Sequence, residues 1–260
     1  MNPVLFDLGF IQIKWYSVLV LSAFIIGYFL VINRSKKMNM PITKITDFCF
    51  YLVIVAILGA RLYYCLFYVN DLGVNPYFSN PVDMLKVWEG GLAIHGGMIA
   101  SFIFLVFYSR KKELDILKLL DILAPAVALG QCIGRWGNFF NSEAFGSETT
   151  LETLKGLHIP KFIIDGMHIN GSYYHPTFLY ESIGCLIIFI ILICIRNRVK
   201  DGQTIGVYFI LYGIIRFFIE SLRTDSLLFF NLKIAQIISV ILILAGLYFF
   251  IRPYLRRTND

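Results

Sequence analysis

Tyr212, Arg216, Glu220 and Arg223 recur at spacings of 4, 4 and 3, which stacks them on one face of a helix. Such a ladder is either a structural run of ion pairs or a polar face turned inward on a ligand. Arg61 and Arg135 add two more guanidinium groups inside apolar surroundings, where an ionisable side chain is expensive enough to be a functional candidate. Three arginines with no aspartate-rich cluster suit a phosphate gripped by guanidinium forks, because a hard cation would need several oxygen ligands. His95 sits in Trp88-Glu-Gly-Gly-Leu-Ala-Ile-His-Gly-Gly-Met98, where glycines on both sides allow a close approach of the backbone. Plainer readings stand beside these. Arg61 could snorkel outward past Tyr63 and Tyr64, in which case lysine would serve nearly as well. Glu181 could be the hydrogen-bond partner of an arginine on another helix. His175, just before Pro176, could cap or pack a helix start.

The elements that position these residues follow from composition. Of 260 residues, 58% are hydrophobic and 15% charged, against roughly 45 to 50% and about 25% in a soluble domain. That excludes an ordinary soluble domain, and 16% aromatic residues exclude disorder. A polytopic membrane protein remains. The five cysteines, Cys49, Cys65, Cys132, Cys185 and Cys194, lie in or beside apolar runs without metal or redox spacing and read as buried apolar residues. The net charge of +6 comes from short basic clusters between apolar runs, which lipid and insertion bias explain without a nucleic-acid partner.

Three runs are long enough alone to cross hydrocarbon: Trp15 to Asn33, Gly90 to Ser109 and Ile234 to Ile251. Four more carry ionisable residues: 48–69 with Arg61, 117–135 with Asp121 and Arg135, 177–195 with Glu181, and 203–222 with Arg216 and Glu220. The sequence therefore predicts an all-α integral membrane protein, residues 1–260 forming one polytopic domain of seven transmembrane helices. The first run lacks a basic leader and a small-residue cleavage site, so its helix is expected to stay. Alternate connections hold Arg34, Lys36, Lys37 and Lys44; Arg110, Lys111, Lys112 and Lys118; Arg196, Arg198 and Lys200; and Arg252, Arg256 and Arg257. The positive-inside rule makes that side cytoplasmic, with the N-terminus outside and the C-terminus inside. Residues 142–176 then form a small extracytoplasmic arm with two or three short strands, turning at Asp165-Gly166 and again at Asn170-Gly171.

At about 1.5 Å rise per residue, Arg61 and Arg216 lie roughly 20 Å up a core about 30 Å thick. Tyr16, His95, His175 and Glu181 fall near the outer starts of their spans, and Arg135 at the outer exit of its own. Apart from Asp121, the inner halves hold almost no charge. The asymmetry favours an outer-leaflet site for an amphipathic phosphate ligand, such as a phospholipid headgroup, over an ion pathway.

The segment Gly134-Arg-Trp-Gly-Asn-Phe-Phe-Asn-Ser-Glu-Ala-Phe-Gly146 resembles the signature of the prolipoprotein diacylglyceryl transferases, Gly-Arg-x-Gly-Asn-Phe-x-Asn-x-Glu ending in a glycine. The resemblance extends through Trp15-Tyr16, Gly59-Ala-Arg61, Gly90-Gly91, His95-Gly96-Gly97, His175-Pro-x-x-Leu-Tyr-Glu181, Tyr212-Gly-x-x-Arg-Phe-x-x-Glu220 and Gln236. Ser17, Glu89 and Phe145 are minor departures from it.

The resemblance implies transfer of the diacylglyceryl group of phosphatidylglycerol to the lipobox cysteine thiol in the signal peptide of a prolipoprotein, releasing glycerol phosphate. It further implies a bacterial cytoplasmic membrane, an active site toward the extracytoplasmic side, and no cofactor, phosphatidylglycerol being a substrate. His95 matches the family's proposed catalytic histidine and is suited to take the thiol proton. Arg135 matches its phosphatidylglycerol-binding arginine and Arg216 its second essential arginine. Asn138, Asn141 and Glu143 would orient the headgroup or Arg135, while Tyr16, Tyr212 and Arg61 would line the same pocket. Glu220, His175, Glu181, Gly96, Gly97 and Gly146 would support it. The competing reading is a transporter or flippase of an anionic lipid or small phosphate compound, which should show paired broken helices in two related halves; no internal repeat is visible.

Overall fold

The computed structural model describes residues 3–9, 12–70, 73–224, 228–230 and 232–255. Arg256 and Arg257 of the charge count lie outside the described residues. In chain order, a hairpin of β1 (Val4–Asp7) and β2 (Gln12–Lys14) leads into α1 (Trp15–Lys37) and α2 (Ile42–Phe67). A short helix, α3 (Pro76–Ser79), and two 3-10 turns, Pro81–Leu85 and Val87–Glu89, precede α4 (Ile94–Lys111). Then come α5 (Ile116–Phe140), β3 (Glu148–Thr149), α6 (Leu151–Gly156), α7 (Lys161–Gly166), β4 (His168–Ile169), β5 (Ser172–Tyr174), α8 (Thr177–Ile195), α9 (Gln203–Leu222), β6 (Leu228–Phe229), β7 (Leu232–Lys233) and α10 (Ile234–Leu255).

Among the described residues, six helices, α1, α2, α5, α8, α9 and α10, are long and apolar enough to cross a membrane. The remaining expected span is α4, an 18-residue helix whose last turn holds Arg110 and Lys111. It begins at Ile94 rather than Gly90, because Gly90 (φ 88) and Gly91 (φ 68) take backbone conformations that no helix contains. The fifth helix also differs from expectation. It continues to Phe140, past the expected end at Arg135, so Asn138 is a helical residue as well.

The chain divides into two compact units. The larger, Met1–Val31 with Leu120–Asp260, holds most of α1 and α5, the segment after α5, and α8, α9 and α10. Its α9 and α10 approach closely through small residues, a Cβ on Gly206 meeting the Gly246 carbonyl at 2.9 Å. Asp121 of α5 caps α9, accepting hydrogen bonds from Gly202 N at 2.6 Å and Ile205 N at 2.8 Å. That accounts for the acidic residue inside the apolar run of α5. The smaller unit, Ile32–Leu119, is built on α2 against α4, with Phe48 stacked on Phe104 and Tyr108 tilted against both.

Between α5 and α8 the larger unit carries a three-stranded antiparallel sheet in the order β3, β5, β4. The turn at Asn170-Gly171 is present, both residues having positive φ (50° and 88°) as a type I′ hairpin requires. The expected turn at Asp165-Gly166 is corrected: these residues end helix α7. Ile163, Ile164 and Met167 face one buried cluster with Phe139, Leu154 and Phe178, a helical spacing that outweighs the Asp-Gly turn signal.

Candidate active site

In the last turns of α5, Arg135 and Asn138 share a face at a spacing of 3, while Phe139 turns into the buried cluster with Phe178. Beyond the helix, Ser142 (φ 52) and Ala144 (φ 57) adopt the left-handed region without being glycine, and the chain reverses. The reversal brings Glu143 back. Its amide donates to the Asn138 carbonyl at 3.0 Å, and its carboxylate accepts from Asn138 Nδ2 at 2.9 Å and Asn141 Nδ2 at 3.3 Å. With its amide nitrogen committed to Glu143, Asn138 turns its oxygen toward Arg135 Nη1 at 3.5 Å. The positive φ values, which no glycine advertises, are what join the two ends of the signature segment.

Helix α8 supplies Glu181 from its second turn, 2% exposed. Thr177 fixes the start of that helix by donating to the Ala144 carbonyl at 2.7 Å. One carboxylate oxygen of Glu181 accepts from Arg135 Nη2 at 2.5 Å and from the Tyr212 hydroxyl at 3.2 Å. The other accepts from Arg216 Nη1 at 3.2 Å. Arg216 also pairs with Glu220 at 2.6 Å, one turn further along α9. The ladder on α9 is therefore turned inward, and Glu181 is the partner of two arginines rather than one.

Both arginine side chains keep part of their surface open, Arg135 at 22% and Arg216 at 17%, while the carboxylates they pair with are almost closed off. Two cations and two anions balance in charge. Buried charges of this kind persist where each is paired with an opposite charge, and a planar guanidinium fork is the kind of group that a phosphate recognises.

Surrounding residues hold this set in place. The ring of Tyr16 lies against Gly137, where a Cβ would come within 2.5 Å of it, and Trp15 stacks on Phe140 at 4.7 Å. Gly146 donates to the His175 carbonyl at 2.9 Å and has no room for a side chain beside His175 and Thr177. His175 faces the Tyr180 hydroxyl at 3.2 Å through Nδ1 and joins the strand edge through its backbone, so its role is to lock the segment after α5. Lys233 was not singled out by sequence reasoning. Its ammonium caps the C-terminal end of α9, donating to the carbonyls of Glu220 at 2.7 Å and Arg223 at 2.8 Å.

His95, Gly96, Gly97 and Arg61 belong to the smaller unit. His95 is exposed in the first turn of α4, its ring 6.4 Å from that of Tyr63. Gly96 rests directly on the Gly59 carbonyl and on Tyr63, and Gly97 on the Ala56 carbonyl at 3.1 Å from a built Cβ. Arg61 corrects one expectation. It does not snorkel, being 4% exposed, and among the described residues its guanidinium donates to main-chain carbonyls: Asp83 at 2.7 Å, Met84 at 3.0 Å, Gly90 at 2.6 Å and Gly91 at 3.3 Å. Most of its N–H donors are thereby engaged by the main chain.

Residues 3–252 match the family described as prolipoprotein diacylglyceryl transferase. The chain is 43% identical over 248 residues to the phosphatidylglycerol–prolipoprotein diacylglyceryl transferase of Staphylococcus haemolyticus (strain JCSC1435), covering 95% of this chain and 86% of that protein. It is equally similar, at 43% over 248 residues, to the protein of the same name from Staphylococcus aureus (strain Newman), with 95% and 87% covered. These relatives are transferases and not transporters. A motif that closes on itself through Asn138 and Glu143, a guanidinium pair on one carboxylate and a match over nearly the whole length agree: the chain belongs to the prolipoprotein diacylglyceryl transferase family.

Proposed function

We propose that this protein moves the diacylglyceryl group of phosphatidylglycerol onto the lipobox cysteine of a prolipoprotein signal peptide, the first step of bacterial lipoprotein maturation. The observation that carries the reading is the convergence of Arg135 and Arg216 on Glu181, with part of each arginine side chain open. A free thiol has a pKa near ~8.5 and is mostly protonated at neutral pH. His95 takes that proton. The thiolate attacks the glyceryl carbon that bears the phosphate, an S–C bond forms, and the C–O bond breaks with its electron pair leaving on glycerol phosphate. Charge grows on the departing phosphate, and the two guanidinium groups stabilise it as it grows. Asn138, Asn141 and Glu143 hold the Arg135 side in register, and Tyr16 and Tyr212 line the headgroup pocket. The reaction as written uses no cofactor.

The same reading sets α4 as the seventh span, with the N-terminus outside and the C-terminus inside a bacterial cytoplasmic membrane. The segment 142–176 is an extracytoplasmic arm, and the headgroup chemistry is on that side. Each unit supports this by gathering basic connections at one end. In the smaller, Lys44 donates to the Lys112 carbonyl at 2.8 Å and Tyr108 to the Lys44 carbonyl at 2.9 Å, so the connections after α1 and α4 adjoin. In the larger, Gln203 at the start of α9 donates to the Phe250 carbonyl at 2.8 Å, close to Arg252 in α10.

The experiment is release of glycerol phosphate from phosphatidylglycerol vesicles by the purified protein, with a lipobox peptide carrying cysteine or serine. Release only with cysteine is the expected result. Release with neither peptide, or equally with both, contradicts the reading.

A further inference from the structure

We infer that Arg61 is a positioning residue for His95, acting as a clamp that ties the chain ahead of α4 to α2. The inference rests on the reading of His95 as the proton acceptor. The guanidinium reaches two separate stretches at once, the carbonyls of Asp83 and Met84 in one 3-10 turn and those of Gly90 and Gly91 just before α4. Tyr77 and Tyr64 flank its charge with ring centroids 5.2 and 6.0 Å away. The Asp83 carboxylate is used elsewhere, paired with Lys86 at 2.6 Å.

The clamp explains the Gly90-Gly91 pair. A Cβ on Gly91 would come 2.8 Å from Arg61 Nη1 and against the Tyr64 ring, and the positive φ of both residues turns their carbonyls onto the guanidinium. One step further on, Ala93 N donates to the Ala60 carbonyl at 3.0 Å, and Gly96 rests on Gly59 and Tyr63. Four residues of α2, Gly59, Ala60, Arg61 and Tyr63, thereby hold the entry to α4 from both sides of His95. His95 itself is exposed. Its direction is set by this entry, and displacement of a reacting group by about 1 Å costs on the order of 10²-fold in rate. Lysine cannot replace the clamp, since one ammonium does not span two stretches as a planar fork does.

The test compares Arg61→Lys, His95→Gln and the double variant in detergent-solubilised full-length protein, following kcat, KM for phosphatidylglycerol and hydrogen exchange of peptides covering residues 83–97. Gly91→Ala is added because it displaces the clamp while leaving Arg61 in place. The expected result is a kcat about 10- to 100-fold lower for Arg61→Lys, an unchanged KM, faster exchange confined to 83–97, the same pattern for Gly91→Ala, and little further loss when Arg61→Lys is added to His95→Gln. A raised KM with normal kcat, or losses that multiply in the double variant, overturns the inference. Near-normal transfer by His95→Gln alone instead removes the reading of His95 on which it rests.

Discussion

Glu181 of α8 and Arg135 of α5, 46 residues apart in sequence, meet at 2.5 Å in the interior of the larger unit. Arg216 takes the opposite oxygen of the same carboxylate at 3.2 Å, so one anion fixes the separation of two cations. Glu181→Gln keeps the shape but removes the charge that both forks share. Breaking a buried pair costs about 3 to 5 kcal/mol, and the partial exposure of the arginines puts this case near the lower end. A clear fall in melting temperature in detergent, with transfer lost in parallel, is expected. An unchanged melting curve would show that the pairing contributes nothing.

Arg135→Lys should fail to restore what Arg135→Ala removes. A fork can bond Glu181 on one nitrogen and phosphate oxygens on the others, whereas an ammonium on a flexible stem offers one point of charge. Transfer rates of the two variants at saturating phosphatidylglycerol decide the matter, and wild-type activity with lysine contradicts the bidentate role.

Much of this arrangement is legible in the amino-acid sequence. The spans showed themselves as apolar runs, and the 4, 4, 3 spacing from Tyr212 placed Arg216 and Glu220 on one face, where they are found paired. What escaped the sequence depends on main-chain geometry. Arg61 donates to the carbonyls of Asp83, Met84, Gly90 and Gly91, partners that no side-chain pattern records. The return of Glu143 onto Asn138 turns on positive φ at a serine and an alanine, residue types that do not signal it. Around Asp165-Gly166, apolar residues on both sides fit strand and helix alike, and burial of Ile163, Ile164 and Met167 selected the helix.

If His95 takes the thiol proton, His95→Gln leaves phosphatidylglycerol binding nearly intact and slows transfer by roughly 10² to 10⁴-fold. Raising the pH toward the thiol value of ~8.5 recovers part of the loss, because the thiolate then forms unaided. Lipid affinity and the pH profile of transfer for both proteins are the measurements. Weakened binding without alkaline recovery would assign His95 to lipid positioning and shift attention to Glu143 or Glu220, which here are engaged with Asn138 and with Arg216.

The orientation is checked by single cysteines in a background with the five native ones replaced. Lys161→Cys, in the segment between α5 and α8, is expected to react with an impermeant maleimide in intact cells, and Lys36→Cys and Lys111→Cys only after permeabilisation. The reverse pattern would invert the topology and put the guanidinium pair on the wrong side for the reading given above.

The most direct measurement of the central claim is the mass of the acceptor. Purified protein incubated with phosphatidylglycerol and a lipobox peptide should yield a peptide heavier by one diacylglyceryl group, attached at the cysteine through a thioether that resists hydroxylamine, with one glycerol phosphate formed per peptide modified. An unmodified peptide, or one carrying a hydroxylamine-labile acyl group in place of the thioether, would contradict the account.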